Sequence, residues 1–258
     1  MTPQPSPVKI SGLIITFNEE KNIREVIECL DFVDEIIIVD SYSTDNTVAI
    51  ANTYPKVKVI QNKFVDFTSQ RNLALDLAKY NWVLFLDADE RITPPLKAEI
   101  IAELQKPETK DAYYFVRKFF FAGKAIHFSG TQTDKNFRLF KKDKAHYIPE
   151  KLVHETLKVD GTVGILENKL LHYSYDNYAI YKKKMISYGV LKGKELFQKG
   201  KRYNFFTHYL KTIFKFIKAF FIRLGILDGK NGLIISYLQA LSVHHTYKSL
   251  KFNQKQNI

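Results

Sequence analysis

The chain has 258 residues, 45% of them hydrophobic, enough for a sizeable core in one large domain or a domain with an appendage. Its single cysteine, Cys29, excludes an internal disulfide and fits a reducing compartment, and Met1 to Pro7 lacks the basic and apolar stretches of a secretory signal. The net charge is +12 but uneven: residues 1–130 hold 15 Lys+Arg against 18 Asp+Glu, leaving 24 of 39 bases against 9 of 27 acids beyond. A basic surface for phosphate, nucleic acid or anionic lipid, or merely a well-solvated one, therefore belongs to the second half.

Val8 to Phe17 is a mostly apolar strand, and Asn18-Glu19-Glu20 can cap a helix reaching about Leu30. Glu35 to Asp40 reads as a second strand. Ser43-Thr44-Asp45 opens a helix to about Tyr54, with Pro55 as its stop. Val57 to Ile60 is a short strand, Thr68 to Ala78 a helix, and Trp82 to Leu86 an unbroken apolar run typical of a fully buried strand. Pro94-Pro95 starts a helix to about Leu104. After Lys110 the pattern changes: Tyr113 to Arg117 and Asn136 to Phe140 resemble strands, joined by aromatic loops with Gly123 and Gly130, and helical patterning returns near Asp176.

Strands alternating with helices imply an α/β fold with a mainly parallel sheet covered on both faces. Ligands bind at the carboxyl ends of such strands. Asn18, Asp40 and the pair Asp87/Asp89 each follow a different predicted strand, so the topology gathers three polar segments at one rim. Asp87 and Asp89 face the same way in an extended segment and suit a divalent cation that keeps phosphate and water ligands. Turn chemistry is the alternative for aspartates at a strand end. The first strand lacks a glycine-rich turn and no Gly-x-x-x-x-Gly-Lys-Ser/Thr occurs, which argues against a dinucleotide site and a P-loop. Arg71, near a helix start, is placed to help with phosphate or simply to sit in solvent.

Four motifs, Ile14-Ile15-Thr16-Phe17-Asn18-Glu19-Glu20, Ile38 to Thr47, Gln70-Arg71-Asn72-Leu73-Ala74 and Leu86-Asp87-Ala88-Asp89-Glu90, stand in one order over residues 8–105. In that order and spacing they resemble family 2 glycosyltransferases with the GT-A fold. A fainter likeness, to the branch with bacterial lipopolysaccharide-core glucosyltransferases, runs through Arg138-Leu139-Phe140, Val153-His154-Glu155, Leu171 to Tyr175 and Gly225 to Gly229. The resemblance implies that Thr16, Asn18 and Glu19 line a nucleotide pocket, that Asp40 bonds the base, usually uracil, and that Arg71 lies by the nucleotide. It implies Asp87 at the ribose or a metal-bound water and Asp89 on Mg²⁺ or Mn²⁺ at the diphosphate. Tyr42 replaces an expected small residue; a bulky side chain resists positive φ, so that turn is expected to differ.

The family inverts the anomeric centre, which requires a base for the acceptor hydroxyl. Glu155 is the candidate, with Glu150 and Asp134 as rivals, and His154 could orient the acceptor. His172 could be a late metal ligand or a structural histidine in an aromatic strand.

Residues 205–224 place His208, Lys211, Lys215 and Lys218 on one helical face and Phe206, Leu210, Ile213, Phe214, Ile217, Phe220 and Phe221 over the rest. Several lysines argue against a membrane span and fit an in-plane helix on an anionic leaflet, or else a helix packed on the catalytic domain. Leu233 to Tyr247 can form a second such helix. The expected division is a nucleotide-sugar half over 1–110, an acceptor side over 111–175, and a C-terminal helical, amphipathic extension over 176–258.

The reading that follows is an inverting, metal-dependent transferase. It moves a hexose from a nucleotide sugar, UDP-linked by the resemblance, to a glycan or lipid-linked acceptor such as lipopolysaccharide core. It works in the cytoplasm, peripherally on the inner face of the membrane. A nucleic-acid binder is the alternative for the basic half, but no stacking module accompanies the charge, so no nucleic-acid partner is expected. A nucleotidyltransferase would need a glycine-rich, basic first loop, which Thr16 to Glu20 is not.

Overall fold

The computed structural model describes residues 8–148, 156–175 and 177–256. They form two units, one of residues 8–117, 135–148 and 156–172, the other of 118–134, 173–175 and 177–256. Alternation opens the first unit: β1 (Ile10–Thr16), α1 (Ile23–Glu28), β2 (Glu35–Asp40), α2 (Thr47–Ala51), β3 (Val57–Gln61) and α3 (Phe67–Leu77). Next come β4 (Trp82–Asp87), the two-residue β5 (Glu90–Arg91) and α4 (Pro94–Leu104). The chain then turns to strands: β6 (Ala112–Phe121), β7 (Lys124–Ile126), β8 (Lys135–Lys141), β9 (Ala145–Ile148), β10 (Thr156–Val159) and β11 (Val163–Tyr175).

The sheet runs β3-β2-β1-β4-β8-β6-β11-β5. Its first four strands are parallel, as the alternation predicts. From β4 onward the pairs β4/β8, β8/β6 and β11/β5 are antiparallel, so the complete sheet is mixed. Successive residues of a strand face opposite sides. Leu13, Ile37, Val83 and Phe85 accordingly pack toward Ala74 and Leu75 of α3, while Ile14, Ile38, Leu84 and Leu86 pack toward Val26 of α1 and Leu96 and Ile100 of α4. Burying each such side chain contributes about 1.5–3 kcal/mol. The helix starts have the expected chemistry: Asp66 caps α3 through the Ser69 amide at 2.7 Å, and Thr93 caps α4 ahead of Pro94.

α1 and α2 are shorter than the sequence predicts. Asn18 takes φ 56°, which breaks helical geometry, and the Glu19 carbonyl accepts from the Asn22 and Ile23 amides. Asp45 bonds both the Thr47 and Glu20 amides, holding residues 18–22 against 43–47 as paired turns rather than as helix starts.

In the second unit, the end of β6 pairs with β7 across Ala122 and Gly123, both at positive φ as a type I′ hairpin requires. Three helices follow: α5 (Tyr178–Gln198), α6 (Phe205–Ile217) and α7 (Gly229–Gln256), with a π-helical turn over Lys218–Ile222 and a 3-10 turn over Gly225–Asp228. Asp228 accepts from the His127 and Phe128 amides at 3.1 and 2.8 Å, which gives the Gly225 to Gly229 motif a structural task. Among the described residues no helix is long and apolar enough to cross a membrane.

Candidate active site

Asp87 ends β4, and the chain turns at Ala88-Asp89 into β5. Both oxygens of the Asp87 carboxylate are engaged: Arg71 Nη2 donates to Oδ1 at 2.6 Å, and Arg138 donates to Oδ2. Arg138 also donates to Glu90 Oε1 at 2.7 Å, and Arg117 reaches the same oxygen at 3.3 Å. The second Glu90 oxygen accepts the Asp87 amide at 3.1 Å. Burial by itself would raise the Asp87 carboxyl, but the Arg138 and Arg71 guanidinium groups outweigh it and hold it far below the usual carboxylate range. Burial likewise opposes the Arg138 charge, and Asp87 and Glu90 reverse that.

The position of Arg138 has a backbone cause. Tyr113 of β6 pairs with Leu139 and Tyr114 with Phe137, so Arg138 is the extra residue of a β-bulge. Bulges re-aim a side chain, and here one points from an apolar strand at two carboxylates.

Asp89 meets His172. In the antiparallel β11/β5 ladder His172 lies opposite Glu90, and its Nε2 stands 3.4 Å from Asp89 Oδ2. Arg91 secures the turn, donating to the Ala88 carbonyl at 2.6 Å, to Glu25 Oε2 at 3.0 Å and to the Asn22 carbonyl at 3.1 Å. Burial pushes the Glu19 carboxyl up; the Asn22 hydrogen bond opposes this, and the nearby Asp89 charge adds to the rise. Acidic groups thus crowd the rim beside the Asp89–His172 pair.

At the ends of β1 and β2, Asp40 is fully buried. Its carboxylate accepts from the Thr16 hydroxyl at 3.1 Å, the Ser43 amide at 2.8 Å, the Ser43 hydroxyl and the Gln61 side chain. Asn18 Oδ1 accepts the Thr44 amide at 2.8 Å, and the Glu19 amide donates to the Thr47 hydroxyl at 2.7 Å. Tyr42 adopts φ 61° with its ring exposed, so the turn expected to differ keeps its left-handed geometry. The tyrosine bears the strain, on the order of 1–2 kcal/mol.

The structure therefore brings Arg71, Asp87, Asp89 and His172 to the end of β4 and places Thr16, Asn18, Glu19 and Asp40 on the neighbouring strand ends. Glu155, His154 and the rival Glu150 lie outside the described residues. Asp134 closes the 3-10 turn at Thr131–Thr133 in the second unit, its amide donating to the Thr131 carbonyl. Sequence reasoning gave no role to Glu90, Arg91, Arg117 and Arg138. For Arg117 and Arg138 the available signal was a charged residue inside an apolar strand, since a buried charge requires a partner.

Asp89 offers a hard oxygen, which suits Mn²⁺ or Mg²⁺, and His172 beside it an imidazole nitrogen, a softer donor. Among the described residues no three His, Cys, Asp or Glu side chains form a closed metal cage. The pair fits an ion whose other positions are left for phosphate and water, not a structural ion.

Residues 11–158 match the family model "Glycosyl transferase family 2". The chain is 31% identical over 245 residues to an uncharacterized glycosyltransferase of Rickettsia typhi, covering 91% of this chain and 84% of that protein. It is 26% identical to the lipopolysaccharide core biosynthesis glycosyltransferase LpsC of Rhizobium meliloti, over 92% and 93% of the two chains. The mannosyltransferase PcManGT of Pyrobaculum calidifontis, solved with GDP-Man and Mn²⁺, superposes with a TM-score of 0.55 at 14% identity, covering 95% of this chain and 88% of that one. The chain belongs to glycosyltransferase family 2 and has the GT-A fold.

Proposed function

We propose that this chain is an inverting, metal-dependent hexosyltransferase. It takes the sugar from a UDP-linked donor and passes it to a cell-envelope glycan or lipid-linked acceptor of the lipopolysaccharide-core kind. The observation that carries the metal-dependent part is the Asp89–His172 pair, 3.4 Å apart at the end of β4, beside an Asp87 locked in its charged form. The relative LpsC supports the acceptor class by its name. In this reading Asp89 and His172 would hold Mg²⁺ or Mn²⁺, and the ion would supply positive charge to offset that growing on the departing diphosphate. Thr16, Asn18, Glu19 and Asp40 shape the nucleoside side, and Arg71 lies beside the phosphates. Asp87, whose side chain is 27% exposed, serves the ribose or a metal-bound water.

Inversion demands a single displacement. The acceptor oxygen attacks C1 opposite the diphosphate while a carboxylate removes its proton, and Glu155 is the residue assigned that task. The enzyme works peripherally on the anionic inner face of the membrane, where a lipid-linked acceptor would be presented.

The test is UDP release from UDP-hexose with Mn²⁺ and a lipid-linked acceptor. Asp89→Ala should abolish transfer and keep the wild-type circular dichroism spectrum, and His172→Ala should raise the Mn²⁺ concentration needed for half-maximal rate. Full activity of Asp89→Ala, or of the wild type in excess chelator, overturns the metal assignment.

A further inference from the structure

A helix on a protein surface normally turns its apolar stripe toward the core. α6 does the reverse. His208 is buried against α7, with Nε2 3.0 Å from His244 Nδ1 and its ring stacked on Tyr247. Thr212 and Lys215, on the same side, are partly buried. The opposite side carries Phe206, Leu210, Ile213, Phe214 and Ile217, which are 41–74% exposed. At 3.6 residues per turn these five fall within an arc of roughly 100°. Beyond the helix the exposure continues through Phe221, Ile222, Leu224, Ile226 and Leu227. An apolar surface this continuous marks an interaction site.

Its border identifies the occupant. Lys211 and Lys218 are exposed along one edge of the arc, and Tyr209 lies along the other. Residues 131–258 hold 24 Lys+Arg against 9 Asp+Glu. A second copy of the chain would use the same patch on both sides, bringing two basic segments together, which costs binding energy. An anionic bilayer meets both demands, with acyl chains for the arc and phosphate headgroups for the border. We propose that the outward arc of α6, continued through residues 218–227, is the surface by which this chain docks on anionic membrane. This builds on the peripheral placement proposed above. It assigns that placement to one face, with the helix in the plane of the membrane and its His208 side held by α7.

The experiment is co-sedimentation of the full chain with vesicles of phosphatidylcholine alone and of phosphatidylcholine with one-third phosphatidylglycerol. The wild type should pellet with the anionic vesicles and much less with the neutral ones. Leu210→Glu combined with Phe214→Glu should lower the partition coefficient at least about tenfold, with an unchanged melting temperature because both side chains are exposed. Lys211→Gln and Lys218→Gln should each weaken binding to anionic vesicles about fivefold and leave binding to neutral vesicles alone. The proposal is overturned if the wild type stays in the supernatant with anionic vesicles, or if the double glutamate variant pellets like it. A dimer in sedimentation velocity that this variant abolishes, without vesicle binding, would give the face to a second copy. UDP release from UDP-glucose in lipid-free solution, measured in parallel, separates the two readings. The variant should match the wild type there, and absence of release from both counts against the transferase reading while leaving the vesicle result intact.

Discussion

Arg138 shows how much one side chain can organise. It is buried in a strand, 3% exposed, and bonds Asp87 and Glu90 together. Removing one partner of a buried ion pair costs about 3–5 kcal/mol because the remaining charge is stranded. Arg71 and Arg117 still reach the two carboxylates, so Arg138→Met should destabilise by about 3 kcal/mol at pH 7, near the low end of that range. The loss should depend on pH in one direction. Asp87 has a depressed folded pKa, so its contribution is complete above the unfolded value of about 3.9 and fades as pH falls toward the folded value. The gap between variant and wild type should therefore be full at pH 6–7 and narrow below about pH 4. Urea melts across that range are the check, and a gap independent of pH would show that Arg138 acts by packing alone.

Helix α5 shows the same dependence at the scale of an element. Gly189 and Gly193 are four residues apart, hence on one face, and both are buried against α7. A Cβ built on Gly189 would stand 2.3 Å from the Ser242 carbonyl oxygen, and one on Gly193 2.4 Å from that of Thr246. Contacts with backbone cannot be relieved by a rotamer change. Gly189→Ala should therefore destabilise by about 1–3 kcal/mol, although alanine is the better helix former by about 1 kcal/mol. Lys194→Ala, exposed on the same helix, should stay within about 0.5 kcal/mol of wild type. Thermal melts of the two variants decide; a stabilised Gly189→Ala would mean that the helices separate at little cost.

Elements also explain which parts of the fold were legible in the sequence. The strands ending at Thr16, Asp40 and Asp87 could be read because apolar runs and helix signals alternate locally, and their polar ends then follow from parallel topology. In the antiparallel half the strands at Tyr113 to Arg117 and Asn136 to Phe140 could be read as well, within β6 and β8, but their pairing could not. β11 spans 13 residues, yet the Asp89–His172 meeting depends on its register with a two-residue strand 80 positions away in sequence. No periodicity encodes that pairing. The same holds for the bulge at Arg138, where one skipped partner turns the arginine toward the site. The orientation of α6 was half legible: its two faces were plain, but which of them the fold would cover depended on α7.

For the molecule as a whole, the proposed function predicts that charge distribution couples donor binding to a cation. All the carboxylates of the site lie in the acidic half of a basic chain, although Arg138 and His172 come from the other half. Arg71 is already committed to Asp87, and Arg138 and Arg117 to Asp87 and Glu90. A diphosphate arriving without a metal would come up against the acidic side chains of Asp89 and Glu19 at the same rim, and like charges repel. UDP and Mn²⁺ should therefore stabilise the fold together and poorly apart. A ligand at about 100 times its Kd adds about 2.7 kcal/mol to the native state. For a domain of about 150–250 residues each kcal/mol moves Tm by about 2–4 °C, so the pair should raise Tm by roughly 5–10 °C. UDP in chelator should give a small fraction of that shift, and Asp89→Ala should lose it even with Mn²⁺ present. Differential scanning fluorimetry over UDP and Mn²⁺ titrations measures all three, with no acceptor required. An undiminished shift in chelator would mean that protein cations alone neutralise the diphosphate, and Asp89 would then be left with the turn chemistry that a strand end ordinarily needs.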